Sequence, residues 1–124
     1  MLSAARTTVC GMPRSDGYPS EYAERVLEFV RTIPAGKVMT YGDVAEYLGA
    51  GSARSVGAVM ATWGADAPWW RVVFADGTPP SSRPERALRR YAAEGTPMLP
   101  AGGRVDMVRA RWAGPFGPGA ADPV

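Results

Sequence analysis

The stretch TYGDVAEYLGAGSARSVGAVMATW, residues 40–63, holds two helix starts separated by a glycine turn. Thr40, with an acidic residue three positions later, has the spacing of a capping box and starts a short helix that ends at Leu48. The turn Gly-Ala-Gly breaks that helix, and Ser52 can cap a second helix over residues 53–63. Two short helices joined by such a turn predict a helix-turn-helix.

A further helix is predicted upstream of this pair. Ser20 can cap it, and it ends before Pro34 and Gly36. A helix with one buried face repeats its apolar residues at spacings of three and four. That pattern is carried here by Tyr22, Val26, Phe29, Val30 and Ile33.

The residues after the pair predict a small β element and another helix. Residues 72–74, Val-Val-Phe, are typical of a strand, and the Asp-Gly turn that closes it suggests a wing. Residues 84–94 predict a helix that is stopped by the glycine and proline just after it. A short strand and a tail are expected to return to the core through Val105, Met107 and Trp112. The expected fold class is therefore mainly α with a small β wing, a winged helix-turn-helix.

Length and composition indicate one small domain. At 124 residues, of which 46% are hydrophobic, the chain can bury one core but not two. Residues 19–112 are expected to form it, between a flexible arm over residues 1–18 and a disordered Gly-, Ala- and Pro-rich tail over residues 113–124. No apolar run reaches the roughly 18 residues that span a membrane, and no signal-peptide pattern opens the chain. We expect a cytoplasmic protein, nucleoid-associated if it is bacterial, with no membrane partner.

Cysteine and histidine are too scarce for several kinds of site. The chain has one cysteine, Cys10, and no histidine. A single cysteine cannot form an intramolecular disulfide, and a zinc site or a Cys/His catalytic pair needs residues that are absent from the sequence. We expect no metal and no cofactor.

Positive charge is concentrated in the second half of the chain. Residues 71–112 hold eight arginines against four acidic residues, whereas residues 1–70 hold six basic and seven acidic residues. A basic surface attracts phosphate, and arginine adds bidentate contacts. The same composition is equally typical of a solvated arginine-rich helix, so charge alone leaves both interpretations open.

Four short motifs occur in order along the chain. They are IPAGKVMTYGDVA at residues 33–45, ARSVG at 53–57, PWWRVV at 68–73 and YAAEG at 91–95. In this order and at this spacing they resemble the DNA-binding domain of the DNA alkyltransferase superfamily, over residues 22–112. The resemblance implies a fold like that of the C-terminal domain of the alkyltransferases.

The third motif departs from the family at its reactive centre. The family sequence there is Pro-Cys-His-Arg-Val-Val, in which a cysteine thiolate takes the alkyl group from O6 of guanine. Trp69 stands at the cysteine position and Trp70 at the histidine position. An indole has neither a low-pKa acid nor a soft nucleophilic atom, so alkyl transfer at this site is not expected.

A tryptophan at the cysteine position marks the alkyltransferase-like proteins. These resemble the repair enzymes, bind O6-alkylguanine without removing the alkyl group, and pass the lesion to nucleotide excision repair. The resemblance therefore implies a non-enzymatic, monomeric protein that flips the damaged nucleotide into a pocket. Its partners would be double-stranded DNA containing O6-alkylguanine and nucleotide excision repair proteins.

The same resemblance implies roles for residues of the helix-turn-helix. Arg54 matches the arginine finger that fills the gap left by a flipped nucleotide, and Tyr41 matches the tyrosine that helps rotate the nucleotide outward. The small side chains at Ala53 and Gly57 let the second helix approach the sugar-phosphate backbone closely. Thr40 is either a DNA contact or a helix cap alone.

The expected lesion pocket contains Trp69, Trp70, Ser82 and Arg83. Trp69 would offer a flat apolar wall to the alkylated purine, and Trp70 is either part of that pocket or simply core. Ser82 and Arg83 lie in the loop that would cover the flipped base. Arg71 is expected to bond loop carbonyls. Glu94 matches the glutamate that ends the family's Cys-His-Glu relay, and it is expected to be a structural remnant.

Two other functions compete with damage recognition. An active alkyltransferase would need another thiol, and Cys10 is the candidate, some sixty residues from the motif. A winged-helix transcriptional regulator would read sequence with long polar side chains on its second helix. That helix is instead rich in small residues, which favours the first interpretation.

Overall fold

The computed structural model describes residues 19–80 and 84–115. Its helices and strands are, in chain order, α1 (Glu21–Val30), β1 (Met39–Thr40), α2 (Tyr41–Leu48), α3 (Ala53–Trp63), β2 (Val72–Val73), α4 (Pro84–Glu94) and α5 (Met107–Ala110). Short 3₁₀ turns at Gly64–Asp66 and Trp69–Arg71 connect α3 to β2. The predicted mainly helical fold with a small β element is confirmed.

The helix-turn-helix is α2 and α3, and a capping box starts each helix. The Thr40 hydroxyl accepts from the Asp43 amide at 2.9 Å, and the Asp43 carboxylate accepts from the Thr40 amide at 3.1 Å. Ser52 and Ser55 form the same reciprocal pair at the start of α3. Helix α2 ends at Gly49, whose φ of +70° is in the left-handed region that favours glycine. These local signals explain why both helices occupy their predicted residues.

Helix α1 packs across the helix-turn-helix and supplies five of the 13 buried residues of the first core cluster, more than any other element. Ser20 caps it by accepting from the Ala23 amide at 3.1 Å. Its buried face meets buried residues of α2 and α3, and the largest fully buried side chains of this cluster are Ile33, Val26, Val30, Val44, Val56 and Val72. Each such side chain stabilises the fold by about 1.5–3 kcal/mol relative to exposure.

The small sheet is not built as a hairpin. Strand β2 pairs in parallel with β1, with Met39 opposite Val72 and Thr40 opposite Val73. The expected turn does follow β2, but Gly77 then packs against the Val105 carbonyl, where a Cβ would overlap the backbone. The chain after the turn thus runs toward the C-terminal segment, and β2 takes its partner from the residues that precede α2.

The C-terminal segment returns to the core, with one difference from expectation. Val105 is fully buried and forms an antiparallel bridge with Met98, and Trp112 packs against the first core. Met107 does not belong to a strand. It starts α5, because the Asp106 side chain caps that short helix by accepting from the Val108 amide.

A second buried cluster lies between α4 and the C-terminal segment. Its members are Val38, Trp70, Val73, Ala87, Tyr91, Val105 and Ala110. Among the described residues, none of the helices has both the length and the apolar character that crossing a bilayer requires. The predicted arm over residues 1–18 lies outside the described residues, as does most of the predicted tail, so both remain predictions.

Candidate nucleic-acid interface

A cavity of about 980 Å³ opens between the helix-turn-helix, the turn that carries Trp69 and the segment after β2. Six of the residues singled out in the sequence line it together: Thr40, Tyr41, Ala53, Arg54, Gly57 and Trp69. The motifs that carry them are separated along the chain, and the fold brings them to one wall. The volume is at the upper end of the range for small-molecule pockets.

The side of the cavity formed by α3 carries mostly small side chains. Ala53 and Gly57 face it, and Arg54 is exposed at its edge. A Cβ built at Gly57 would come no closer than 4.0 Å to the Tyr41 ring, and one at Gly42 would meet only the Thr40 hydroxyl at 3.8 Å. Internal packing therefore does not require glycine at either position. The missing side chains instead leave room for something that approaches α3 from outside.

Two aromatic rings form the next part of the wall. Tyr41 packs against Phe74 with ring centroids 5.2 Å apart and planes tilted by 54°. Burial raises the pKa of the Tyr41 hydroxyl, so at neutral pH it is protonated and can donate a hydrogen bond. Phe74 is 43% exposed although the two valines before it are fully buried. Sequence reasoning missed Phe74 because its exposure depends on β2 ending at Val73.

Trp69 lines the cavity, and Trp70 lies behind it. The two indoles meet edge to face, with centroids 5.6 Å apart and an interplanar angle of 87°. Trp69 is half-buried, whereas Trp70 is only 9% exposed and belongs to the second buried cluster. Trp70, expected either in the pocket or in the core, is thus placed in the core.

Trp70 is held by a carboxylate. Its indole N–H donates to Glu94 Oε2 at 2.9 Å. The same carboxylate accepts from the Gly36 amide at 3.1 Å and forms an ion pair with the Arg71 guanidinium. Arg71 also donates to the Ile33 carbonyl at 2.9 Å, as its expected role in bonding loop carbonyls required. Glu94 is therefore a junction of three segments.

The charge of Glu94 is stabilised in place. Burial works to raise the pKa of its carboxyl, but hydrogen bonds from Arg71, the Gly36 amide and the Trp70 indole outweigh burial and hold the pKa below its usual range. The group is ionised at neutral pH, and its acceptor positions are directed at these donors. It has no free capacity to act as a base toward the cavity.

The family model for the 6-O-methylguanine DNA methyltransferase DNA-binding domain matches residues 21–96. The chain belongs to this family. The DNA base-flipping protein of Escherichia coli (strain K12) is 40% identical over 106 residues, which cover 82% of this chain and 78% of that protein. Alkyltransferase-like protein 1 of Schizosaccharomyces pombe is 43% identical over 61 residues, which cover 47% of this chain and 56% of that protein.

A solved structure is similar in three dimensions. The crystal structure of S. pombe Atl1 in complex with damaged DNA containing O6-carboxymethylguanine matches with a TM-score of 0.64 at 31% identity, covering 80% of this chain and 97% of that chain. The chain is thus homologous to the alkyltransferase-like proteins. Its fold is that of a family member solved on damaged DNA.

Thr40 has a clear structural role within this family fold. Its hydroxyl caps α2, and the Asp43 carboxylate that completes the box also binds the Arg111 guanidinium, with Arg111 Nε at 2.9 Å. Burial favours a higher pKa for the Asp43 carboxyl, but hydrogen bonds from Arg111 and Thr40 lower it overall. Capping accounts for Thr40 in the free protein, and a DNA contact remains a prediction.

The expected covering loop is only partly described. Ser82 and Arg83 lie outside the described residues. On either side of them, Pro80 and Arg86 line the cavity. Arg86, exposed in the first turn of α4, was missed by sequence reasoning because several arginines of that helix are equivalent until the fold shows which one faces the cavity. Within residues 19–80 and 84–115, no cluster of three or more His, Cys, Asp or Glu side chains could hold a metal ion.

Proposed function

We propose that this protein binds double-stranded DNA containing O6-alkylguanine, rotates the damaged nucleotide into the cavity and leaves the alkyl group in place. The observation that carries the proposal is the convergence of Tyr41, Arg54 and Trp69 on one cavity. In this arrangement α3 lies against the DNA, Arg54 enters the base stack and Trp69 receives the flipped base. The names of the relatives, a DNA base-flipping protein and an alkyltransferase-like protein, support it.

Selectivity for damage follows from a balance of stacking energies. Unstacking and unpairing a base cost a few kcal/mol, and less where pairing is already damaged. Stacking of the flipped base on an aromatic ring returns on the order of 1–3 kcal/mol. Alkylation at O6 weakens pairing with cytosine, so flipping is favoured at the lesion. No chemical step is needed for this preference.

The absence of alkyl transfer is also part of the proposal. The wall residue at the family's cysteine position is Trp69, which has no nucleophilic atom, and the described lining of the cavity contains no thiol. By resemblance, we further propose that the protein acts as a monomer and that the bound lesion is passed to nucleotide excision repair. Cys10, the alternative thiol, lies outside the described residues.

A sequence-reading regulator is the second candidate, and the cavity argues against it. A regulator reads base edges with long polar side chains in the major groove. In α3 the side chains that face the cavity are mostly small or apolar, with Arg54 as the long polar exception. A regulator also has no need of an aromatic cavity beside its recognition helix.

One binding experiment tests the proposal. Matched duplexes with guanine or O6-methylguanine at one position are titrated at the same salt, because phosphate contacts make affinity salt-dependent. After incubation the masses of protein and DNA are recorded. We expect tighter binding of the lesion duplex and unchanged masses. Equal affinities would overturn lesion recognition, and a stoichiometric gain of one methyl group on the protein would overturn the non-enzymatic assignment.

A further inference from the structure

Trp70 is buried, and it also makes a polar contact that filling the core does not require. An indole has no basic nitrogen, so it cannot relay a proton, yet its N–H is aimed at the Glu94 carboxylate at 2.9 Å. That carboxylate is itself fixed by Arg71 and by the Gly36 amide. The bond therefore fixes the rotation of the Trp70 ring within a rigid frame.

The faces of the Trp70 ring are also held. The Arg90 guanidinium carbon lies 4.5 Å from the ring centroid, and that of Arg71 lies 5.4 Å from it. Both distances fall within the range of a cation–π interaction. Arg90 is exposed, so one side of this contact is formed by a surface residue of α4.

Trp69 packs against the second buried cluster, to which Trp70 belongs. Its ring packs edge to face on Trp70. Among residues 19–80 and 84–115, no hydrogen-bond partner for the Trp69 indole N–H is found. The orientation of the Trp69 ring is therefore set by packing, which includes the edge-to-face contact with the hydrogen-bonded Trp70 ring.

We propose that Trp70 is a positioning residue for lesion binding, which holds Trp69 in the orientation that a flipped base requires. This inference rests on the proposed function. A wall that is already oriented loses less conformational freedom when a base stacks on it, so a fixed Trp69 raises affinity for the flipped base. Undamaged duplex, whose bases stay stacked, does not gain from it. The role is therefore visible in the ratio of the two affinities.

The test compares that ratio in wild type and in Trp70→Phe. Phenylalanine keeps an apolar ring and removes the N–H that Glu94 holds. We expect the lesion-to-undamaged affinity ratio to fall about fivefold, because a less constrained Trp69 loses more side-chain conformational freedom when a base stacks on it, while affinity for undamaged duplex is unchanged. Val105→Ala, in the same buried cluster, is the control for lost stability. It should lower the melting temperature and leave the ratio as in wild type.

A surface variant keeps the test valid if Trp70→Phe folds poorly. Arg90→Gln removes the cation from the ring face at an exposed position. Its control is Arg89→Gln at the neighbouring exposed position of α4, since the Arg89 guanidinium has no cation–π contact among the described residues. We expect Arg90→Gln to lower the ratio by less, about twofold, because an exposed cation–π contact is weak and constrains the Trp70 ring less than its hydrogen bond does. Arg89→Gln should weaken both duplexes alike.

The outcomes separate the two proposals. A wild-type preference for the lesion that survives in both Trp70→Phe and Arg90→Gln overturns the positioning role alone. An equal loss on both duplexes does the same, because it shows a structural role only. A wild-type protein without any preference overturns the proposed function, and the positioning role with it.

Discussion

Trp69 and Trp70 are neighbours in the chain and face opposite environments. Trp69 is half-buried on the wall of a cavity, and Trp70 is buried against a carboxylate and two guanidinium groups. On the cavity side of the pair lie small residues of α3 and the accessible rings of Tyr41 and Phe74. Behind it, the Trp70 N–H and the Arg71 guanidinium are paired with the Glu94 carboxylate. The boundary between a surface left for a ligand and a frame completed by the protein therefore runs between two consecutive residues.

The difference separates two requirements of a surface on which a flipped base would stack. A surface that stacks on a base must be apolar and accessible, and it must keep its orientation. The first requirement is met by Trp69, Tyr41 and Phe74 on the cavity side. The second is met by Glu94, which ties together the loop after α1, the PWWR turn and the end of α4. Stability should thus depend mainly on the frame, and direct contact with the flipped base on the wall.

The largest expected effect is on stability, from the frame. Glu94→Ala removes the acceptor of the Arg71 guanidinium and of the Trp70 N–H. The ion pair is largely buried, since the Arg71 side chain is 17% exposed and that of Glu94 is 12% exposed. Breaking such a pair by removing one partner costs about 3 kcal/mol. The free energy of unfolding, from urea denaturation, should fall by that amount. The exposed pair of Arg104 and Asp76 is the control, and Arg104→Ala should change stability little.

The contribution of Glu94 to the free energy of unfolding depends on pH with a defined sign. The pKa of the Glu94 carboxyl is lowered in the folded protein. Its stabilising effect is therefore complete above the unfolded value of about 4.3 and is lost as pH falls through the folded pKa. Wild-type stability should decline on acidification, and the decline should be shallower in Glu94→Ala. Asp43, whose pKa is also lowered, acts with the same sign in both proteins. If the curves of stability against pH for wild type and Glu94→Ala were parallel, the Glu94 carboxylate would not stabilise the fold.

The helices could be predicted closely from the sequence, because their signals are local. Thr40 and Ser52 cap the starts of α2 and α3, and a glycine directly follows the last residue of α2, α3 and α4, so these helices have their expected bounds. The partner of β2 was not predictable in this way. Its pairing with β1 joins segments on either side of the helix-turn-helix, and no short-range pattern specifies it.

The site shows the same limit. Tyr41, Arg54 and Trp69 were found because each belongs to a motif, whereas Phe74 and Arg86 reach the cavity only through the path of the chain after β2. The dual interpretation of Trp70 could not be decided from the sequence. Its burial depends on Tyr91 and Glu94, which are supplied by a helix that follows much later in the chain.

The next effect is on binding, from the wall. Arg54→Ala should weaken affinity for the lesion duplex by on the order of 1–3 kcal/mol, because the gap left by the flipped base then stays unfilled. Arg54 is exposed, so the melting temperature of the free protein should not change. The measurement is fluorescence anisotropy with labelled duplexes at fixed salt. Arg89→Ala is the matched control, since Arg90 contacts Trp70 and would disturb the frame. If Arg54→Ala and Arg89→Ala lost the same affinity for the lesion duplex, Arg54 would not be the arginine finger.

Trp69→Ala should have a somewhat smaller effect on affinity. The loss for lesion duplex should be about 1–2 kcal/mol, the lower part of the range for one base stacked on one ring, because Tyr41 and Phe74 remain in the wall. Affinity for undamaged duplex should be unchanged, since an unflipped base does not reach Trp69. Titration of both duplexes checks this. If both affinities fell together, Trp69 would belong to the frame, and the boundary between the two tryptophans would be misplaced.

The smallest effect is expected at Tyr41, where the ring and the hydroxyl can be separated. The ring packs against Phe74 at 5.2 Å and shapes the wall, while the hydroxyl offers one donor. Tyr41→Phe keeps the ring and should cost at most about 1 kcal/mol in lesion affinity, the net value of one hydrogen bond. Tyr41→Ala removes both groups and should cost more. If the two variants lost the same affinity, the hydroxyl alone would act on the DNA, and the wall would depend on a polar contact rather than on the apolar surface that distinguishes it from the frame behind Trp70.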